Sequence, residues 1–399
     1  MSELRTPDAP EMRGSNQVGM RQFNERTVLR AIRHHGALPK AELARLTQLT
    51  PQTVATIARR LLDDSLLVEQ ERIRGKIGQP SVPLALNPEG AFHIGIQIDR
   101  RSLDIVVVDF LGQMRQQWQH QYAYPDPSQV QAQIRQGLAL MKSRMGPAWG
   151  RVMGAGLCAP LSLHQWGDVM GEPAASAMAA WEHLQLPDAL AGVTPLPMEF
   201  AKDTTAACIA ELVQGHGRQV KNFLYAFVGT FIGGGLVLDG QLVSGPRGNA
   251  GAIGSMPLKL AQRGGEQLLE RASGWQLEQA LMQAGHDPLL VHQEEILEAR
   301  YAEWVDPWLR QAAGALAMSV VSAAALLDLD AVVVDGSLTP GLLARLIELT
   351  GQALERQRFD GIRAPELLAG SVGGHACALG AALLPLHSQF FPDRAVFLK

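Results

Sequence analysis

Cysteine is nearly missing from this 399-residue chain. Cys158, Cys208 and Cys377 lie far apart, which excludes a disulfide-stapled secreted scaffold. They read as buried free thiols of a reducing compartment, so the expected setting is the cytoplasm. Long apolar runs are missing too: no uninterrupted stretch nears the roughly 18 residues that a membrane span needs. The first segment, Met1–Gly19, holds no apolar signal-peptide region, and its mixture of Pro, Gly, Arg and Asp reads as a loose tail.

Strong charge of one sign is absent overall, at a net −4, but the distribution is uneven. Residues 1–90 hold 13 Lys and Arg against 10 Asp and Glu, whereas the remainder holds 22 against 29. A basic module on an acidic body predicts separate partners, with nucleic acid a candidate for the first. The length predicts more than one domain, and 47% hydrophobic content is ample for a large core.

From Arg21 to Asp64 the apolar spacing predicts three short helices. The first, about Gln22 to His35, places Phe23, Val28, Leu29 and Ile32 on one face and stops at Gly36. The second, Lys40 to Leu46, buries Leu43, Ala44 and Leu46. Thr50-Pro51 reads as an N-cap hydroxyl followed by proline at the first helical position. The third helix then runs to about Asp63 with Val54, Ile57, Ala58 and Leu61 inward. This leaves Gln52, Thr53, Thr56, Arg59 and Arg60 on or near its outer face. Two helices joined by a tight turn are how a helix-turn-helix enters the major groove. Gln52 suits adenine, Thr53 and Thr56 suit a base edge or thymine methyl, and Arg59 and Arg60 suit phosphates. Glu69 to Ala85 reads as a two-stranded wing whose Arg72, Arg74 and Lys76 face a neighbouring phosphate or minor groove. A helical protein-interaction unit with a solvated basic face fits three such helices equally well.

After a linker at Asn87-Pro88-Glu89-Gly90, the body is organised around the glycine-rich stretch Gly229–Ser255. An apolar strand, Phe223 to Val228, runs into a glycine cluster. A second strand, Gly235 to Leu238, ends at the hairpin signal Asp239-Gly240. Glycines there let the backbone turn with positive φ and approach a ligand closely. Further strands are expected at His93–Gln97, Leu103–Phe110, Val152–Leu157 and Ala331–Val334. Helices are expected at Ser128–Met145, from Asp203 to about Gln214, and at Trp275–Gly285, Glu294–Val305 and Pro307–Leu327.

Taken in order, these motifs are specific: Leu43-Ala44-Arg45-Leu46-Thr47, Pro51-Gln52-Thr53-Val54, Gly78-Gln79-Pro80, Gly229-Thr230-Phe231-Ile232-Gly233-Gly234-Gly235, then Gly251-Ala252-Ile253-Gly254-Ser255. Together they resemble the ROK family of repressors and sugar kinases over about Arg21 to Leu384. The resemblance implies an α/β chain: a winged helix-turn-helix fused to a two-lobed, actin-like, sugar-binding body. The implied division is a flexible tail over 1–20, the DNA-binding domain over 21–87 and the body over 88–399.

The resemblance also implies which residues meet a ligand. Asp203 stands where the family keeps the carboxylate that faces the sugar hydroxyl, and Lys202 beside it suits an anionic ligand. Asn249 lies in the glycine segment, and Glu270 aligns with a second sugar-contacting glutamate. Most departures from the family pattern remove catalytic or metal-binding groups. Gln97 replaces an aspartate, and Asp99, Arg100 and Arg101 replace small phosphate-loop residues. Ala252 and Ser255 replace the glutamate and histidine, the zinc-binding cysteines are missing downstream, and Asp335-Gly336-Ser337 replaces a glycine loop. In the motif around residue 79, Gln79 replaces an arginine.

The implied protein is a sugar-responsive transcriptional regulator without catalytic residues, metal or cofactor. Its expected partners are a double-stranded DNA operator, a sugar or sugar derivative, and further copies of itself as a dimer or tetramer. An active ATP-dependent carbohydrate kinase carrying a DNA-binding module is the alternative, and a regulator blind to any ligand is a third.

Overall fold

The computed structural model of the chain describes residues 17–72, 81–160, 174–183, 186, 190, 192–258 and 266–392. Its first unit contains α1 (Gln17–His35), β1 (Leu38–Pro39), α2 (Lys40–Thr47), α3 (Pro51–Asp63), β2 (Leu67–Glu69) and β3 (Pro83–Leu86), with the strands ordered β1-β3-β2. α1 begins at Gln17 rather than Gln22, so residues 17–20 are helix and not the expected tail. It stops at Gly36, whose φ of 80° is cheap only for glycine. In α2 Leu43 is buried, while the expected Ala44 and Leu46 are half-buried, because two turns present only a narrow face. α3 starts as its sequence dictates. The Thr50 hydroxyl accepts from the Thr53 N–H at 3.2 Å, and Pro51 occupies the first turn, where its missing N–H has no partner to lose.

The expected linker is instead a packed joint. Asn87 caps the single turn Pro88–Gly90, and its side-chain nitrogen donates to the Ser65 carbonyl at 2.8 Å. Gly90 approaches that carbonyl so closely that a Cβ would lie 2.6 Å from it. Val28, Leu29 and Ile32 of α1 share one buried cluster with Phe110, Leu383 and Phe390 of the body.

The body has two lobes of matching topology. The first holds β4 (Phe92–Ile98), β5 (Ser102–Val108), β6 (Met114–Gln121), α4 (Pro127–Met145), β7 (Val152–Ala159), α5 (Ala174–Ala179), β8 (Met198–Lys202) and α6 (Asp203–Gln214). Its sheet order is β6-β5-β4-β7-β8. The second holds β9 (Phe223–Val228), β10 (Ile232–Leu238), β11 (Gln241–Val243), α7 (Leu269–Ala272), α8 (Gly274–Gln283), α9 (Ala302–Leu327), β12 (Ala331–Gly336), α10 (Pro340–Leu354) and β13 (Glu366–Ala369), with order β11-β10-β9-β12-β13. In each sheet an antiparallel meander continues into two parallel strands. The last helix, α11 (Ala376–Phe390), returns to the first lobe. It crosses β4 and β7 where a Cβ on Gly95 would lie 2.2 Å from the Ala378 carbonyl, and one on Gly156 1.9 Å from that of Ala381. Only glycine admits that approach.

Two expectations about helices and glycines change. Glu294–Tyr301 forms short 3₁₀ turns, and Pro307 lies inside α9 rather than starting a helix. The proline falls close to the helix start, where it removes a single backbone bond. The stretch Ala299–Leu327 is long and apolar enough to cross a membrane by length and composition, with mean hydropathy 1.4. Here Val305, Leu309, Leu316 and Val320 bury it in the second lobe. The glycines 233–235 are not a loop; they pair in β10 with β9. A Cβ on Gly235 would lie 2.5 Å from the Cys208 Cβ, so these glycines admit α6 against the sheet. Positive φ comes later, at Asp239 (53°) and Gly240 (67°) in the two-residue hairpin, then at Gly245, Gly248 and Gly251.

Candidate functional site

Two surfaces carry the residues singled out from the sequence. The first is the outer face of α3. Gln52, Thr56 and Arg59 are exposed there, and Thr53 and Arg60 are half-buried. The hydroxyls are partly engaged already: Thr53 shares a proton with Thr50 at 2.8 Å, and Thr56 donates to the Gln52 carbonyl at 3.0 Å. Arg60 departs from expectation because its guanidinium pairs with Glu25 of α1, which also meets Arg21 at 3.6 Å. A neutralised arginine is a poor phosphate contact, so Arg59 is the cation that α3 leaves open. Arg72 is exposed beyond β2. Arg74, Lys76 and Gln79 lie outside the described residues.

The second surface lies between the lobes. β8 delivers Lys202 and Asp203 to the start of α6, and the loop after β11 delivers Asn249. Lys202 Nζ donates to Asn249 Oδ1 at 3.2 Å, which closes the loop onto the helix start. Asp203 accepts from the Thr204 N–H at 2.7 Å. Burial pushes its pKa up to about 6, against that hydrogen bond and the Lys202 charge. The same burial lowers the Lys202 ammonium from its usual range, with Asp203 opposing. A carboxyl, an ammonium and an amide thus converge, a set that hydrogen-bonds a polyol well. Glu270 does not join them. It is exposed on α7 and accepts from the Gln267 N–H at 2.9 Å, within its own turn.

The β4–β5 turn fills the neighbouring space. Arg100 reaches from it to Glu278 of α8 at 2.6 Å, with its guanidinium over the Trp275 ring at 5.2 Å. Asp99 in the same turn is held above the usual carboxylate range by burial, which its neighbour Arg100 opposes. Gln97 lies opposite Asp104 in the β4–β5 register. Asp335 belongs to the end of β12 rather than to a loop. Its carboxylate accepts from Tyr225 at 2.9 Å, from the Gly336 N–H at 2.8 Å and from the Gly373 N–H at 3.1 Å. His375 is exposed at the N-cap of α11 and makes no side-chain capping hydrogen bond there; its Nδ1 meets Gln117 at 3.4 Å. Among the described residues no three His, Cys, Asp or Glu side chains converge as a metal site, and all three cysteines are buried and free.

The ROK family profile matches residues 93–387, which spans both lobes. This chain belongs to the ROK family. Among relatives of this ROK protein, y4fQ of Sinorhizobium fredii is 24% identical over 371 residues, 92% of each chain. The xylose repressor of Bacillus spizizenii is 21% identical over 244 residues, 61% of this chain and 62% of that one. The chain therefore spans less than two thirds of the length of that repressor. A solved ROK family transcriptional regulator, described as a homologue of the Escherichia coli Mlc protein, superposes with a TM-score of 0.69 at 20% identity. That superposition covers 95% of this chain and 99% of the regulator, and it shows a common fold.

Sequence reasoning missed two features. The Arg100–Glu278 pair joins positions 178 apart, and no local pattern announces it. Arg30 and Arg33 of α1 gather at the joint with Arg218 and Lys221 after α6, and no local pattern links the two segments.

Proposed function

We propose that this ROK protein is a sugar-responsive DNA-binding repressor of carbohydrate-metabolism genes, with a winged helix-turn-helix over 21–87 and an effector body over 88–399. The observation that carries the reading is the capped helix α3. It presents Gln52, Thr56 and Arg59 to solvent from a unit whose core continues into the body. A polar, basic helix face beside an antiparallel strand pair has the geometry for major-groove reading, with Arg72 on the strand side. The shared core supplies a mechanical route: a change between the lobes reaches α1 without a slack linker in between. Xylose and Mlc repressors among the relatives support the same reading.

In this reading the sugar sits against Lys202, Asp203 and Asn249, and Asp203 accepts from a hydroxyl rather than catalysing transfer. Arg100 supports the absence of kinase chemistry. It stands where a phosphate loop needs small residues, and its side chain occupies the interlobe space against Glu278 and Trp275. The protein works as a homodimer or homotetramer in the cytoplasm, because paired modules match paired half-sites.

The test is selection of genomic fragments by the purified protein, then titration of the bound duplex with a panel of sugars, with and without MgATP. Release by one sugar class irrespective of MgATP is the expected result. ADP production coupled to one sugar, with no fragment enriched, would overturn the reading in favour of a carbohydrate kinase.

A further inference from the structure

A recess of about 440 Å³ lies at the joint between the first unit and the body. Its walls come from the C-terminal half of α1, the end of α2, the end of α6 with the segment after it, the β10–β11 hairpin, and the end of α11 with the residues that follow. Arg30 and Arg33 face it from α1, Arg218 and Lys221 from the segment after α6, and His387 from α11, with His34 and His35 at the α1 edge. Among the described residues, no aspartate or glutamate lines it. Leu212, Val213 and Phe391 add apolar surface. Like charges gathered from separate segments repel one another, and a fold keeps such a cluster only at a free-energy cost unless an anion offsets it.

Arg33 is an incompletely paired cation in this wall. Its guanidinium lies between two rings, 5.3 Å from the Phe110 centroid and 5.2 Å from that of Phe391. Nη2 donates to the Phe110 carbonyl at 2.8 Å, but Nη1 is buried with no hydrogen-bond partner. A buried, charged donor left unpaired is costly. The nearby Asp109 does not supply the pair. Its carboxylate accepts from Arg115 at 2.7 Å and from the Leu111 and Gln113 N–H groups. Burial and the surrounding cations Arg218, Arg30 and Lys221 also lower the His34 pKa, consistent with an uncompensated positive field.

We infer that this recess binds a phosphate-bearing small molecule that bridges the first unit and the body, at a second ligand site separate from Lys202, Asp203 and Asn249. The volume falls in the range of metabolite pockets, roughly 300–1,000 Å³, and exceeds what a lone inorganic anion fills. Permanent cations on opposing walls suit a dianionic group, and the apolar walls suit the carbon skeleton attached to it. Duplex phosphate is the alternative occupant of these cations, and the experiment separates the two.

The experiment is calorimetric titration of the full chain with inorganic phosphate, pyrophosphate and glucose 6-phosphate, with glucose as the uncharged control. Arg218 and Lys221 are exposed, so the Arg218→Gln/Lys221→Gln variant should fold and melt like the parent. Expected is binding of the phosphate compounds that weakens at least tenfold in this double variant and is unchanged in Arg135→Gln on α4. Two results would overturn the inference: no binding by any phosphate compound, and binding that the double variant leaves intact. Loss of DNA affinity in the double variant without any phosphate binding would reassign these cations to nucleic acid.

Discussion

Arg100 and Glu278 meet across the two lobes, Nη2 to Oε2 at 2.6 Å, with side chains only 5% and 1% exposed. One sits in a hairpin turn of the first lobe and the other on α8 of the second. The pair therefore stitches the two lobes together. Its energetic weight lies in what happens when it is broken. Removing one partner strands a charge in a dry interface, whereas replacing both with apolar side chains of similar volume strands nothing.

Arg100→Ala alone should therefore lower stability by about 3–5 kcal/mol, while Arg100→Met/Glu278→Leu should lose much less. Denaturant midpoints of the two singles and the double decide this. Equal losses in single and double variants would mean that packing, and not charge pairing, holds the lobes.

The contrast between Arg59 and Arg60 is measurable in salt. Each phosphate contact contributes about 0.9 to the slope of log affinity against log salt. Arg59→Gln should flatten the slope by about that amount. Arg60→Gln should leave it unchanged, because Glu25 already engages that guanidinium. Glu25→Gln should steepen it by releasing Arg60. A flatter slope in Arg60→Gln than in Arg59→Gln would reverse the assignment of the open cation.

Asp203 sets a pH dependence on the sugar. With its pKa at about 6, it is ionised and able to accept from a hydroxyl above that value, and protonated below it. Sugar affinity should fall as pH drops through 6, and Asp203→Asn should be weaker by tenfold or more with a flat profile. DNA affinity without sugar should be the same in both proteins. A parent profile as flat as that of the variant would remove Asp203 from the ligand.

His93 supplies a stability test of opposite origin. It is buried on β4 against Phe390, ring centroids 6.0 Å apart, and burial lowers its pKa to about 4. Once unfolded, it takes up a proton near the usual 6.5. Between those values the unfolded state binds one more proton, so stability is lost as pH falls, by about 3 kcal/mol at most. His93→Gln should abolish that share of the acid sensitivity. An unchanged difference between pH 7 and pH 4 unfolding midpoints would show that His93 is not the group responsible.

The elements with local signals were legible from the chain. Thr50-Pro51 specified a helix start, Gly36 a helix stop, and Asp239-Gly240 a two-residue hairpin, each because its backbone conformation depends on the residue itself. Phe223–Val228 and the α6 segment followed from apolar pattern. The site was half legible. Lys202, Asp203 and Asn249 do come together, while Glu270 faces solvent within its own turn.

Sequence by itself thus determined the helix start at Thr50-Pro51, the helix stop at Gly36, the Asp239-Gly240 hairpin, the order of the two lobes, and which face of α3 is polar. Only the tertiary structure decided that Gly233–Gly235 are strand residues admitting α6, that Asn87–Gly90 is a joint, and that Arg60 is neutralised by Glu25 while Arg33 is left with an unpaired nitrogen. Capping and turn conformation act within a few residues, so they can be read along the chain. Charge pairing and close approach depend on distances through space, and those exist only once remote segments have packed.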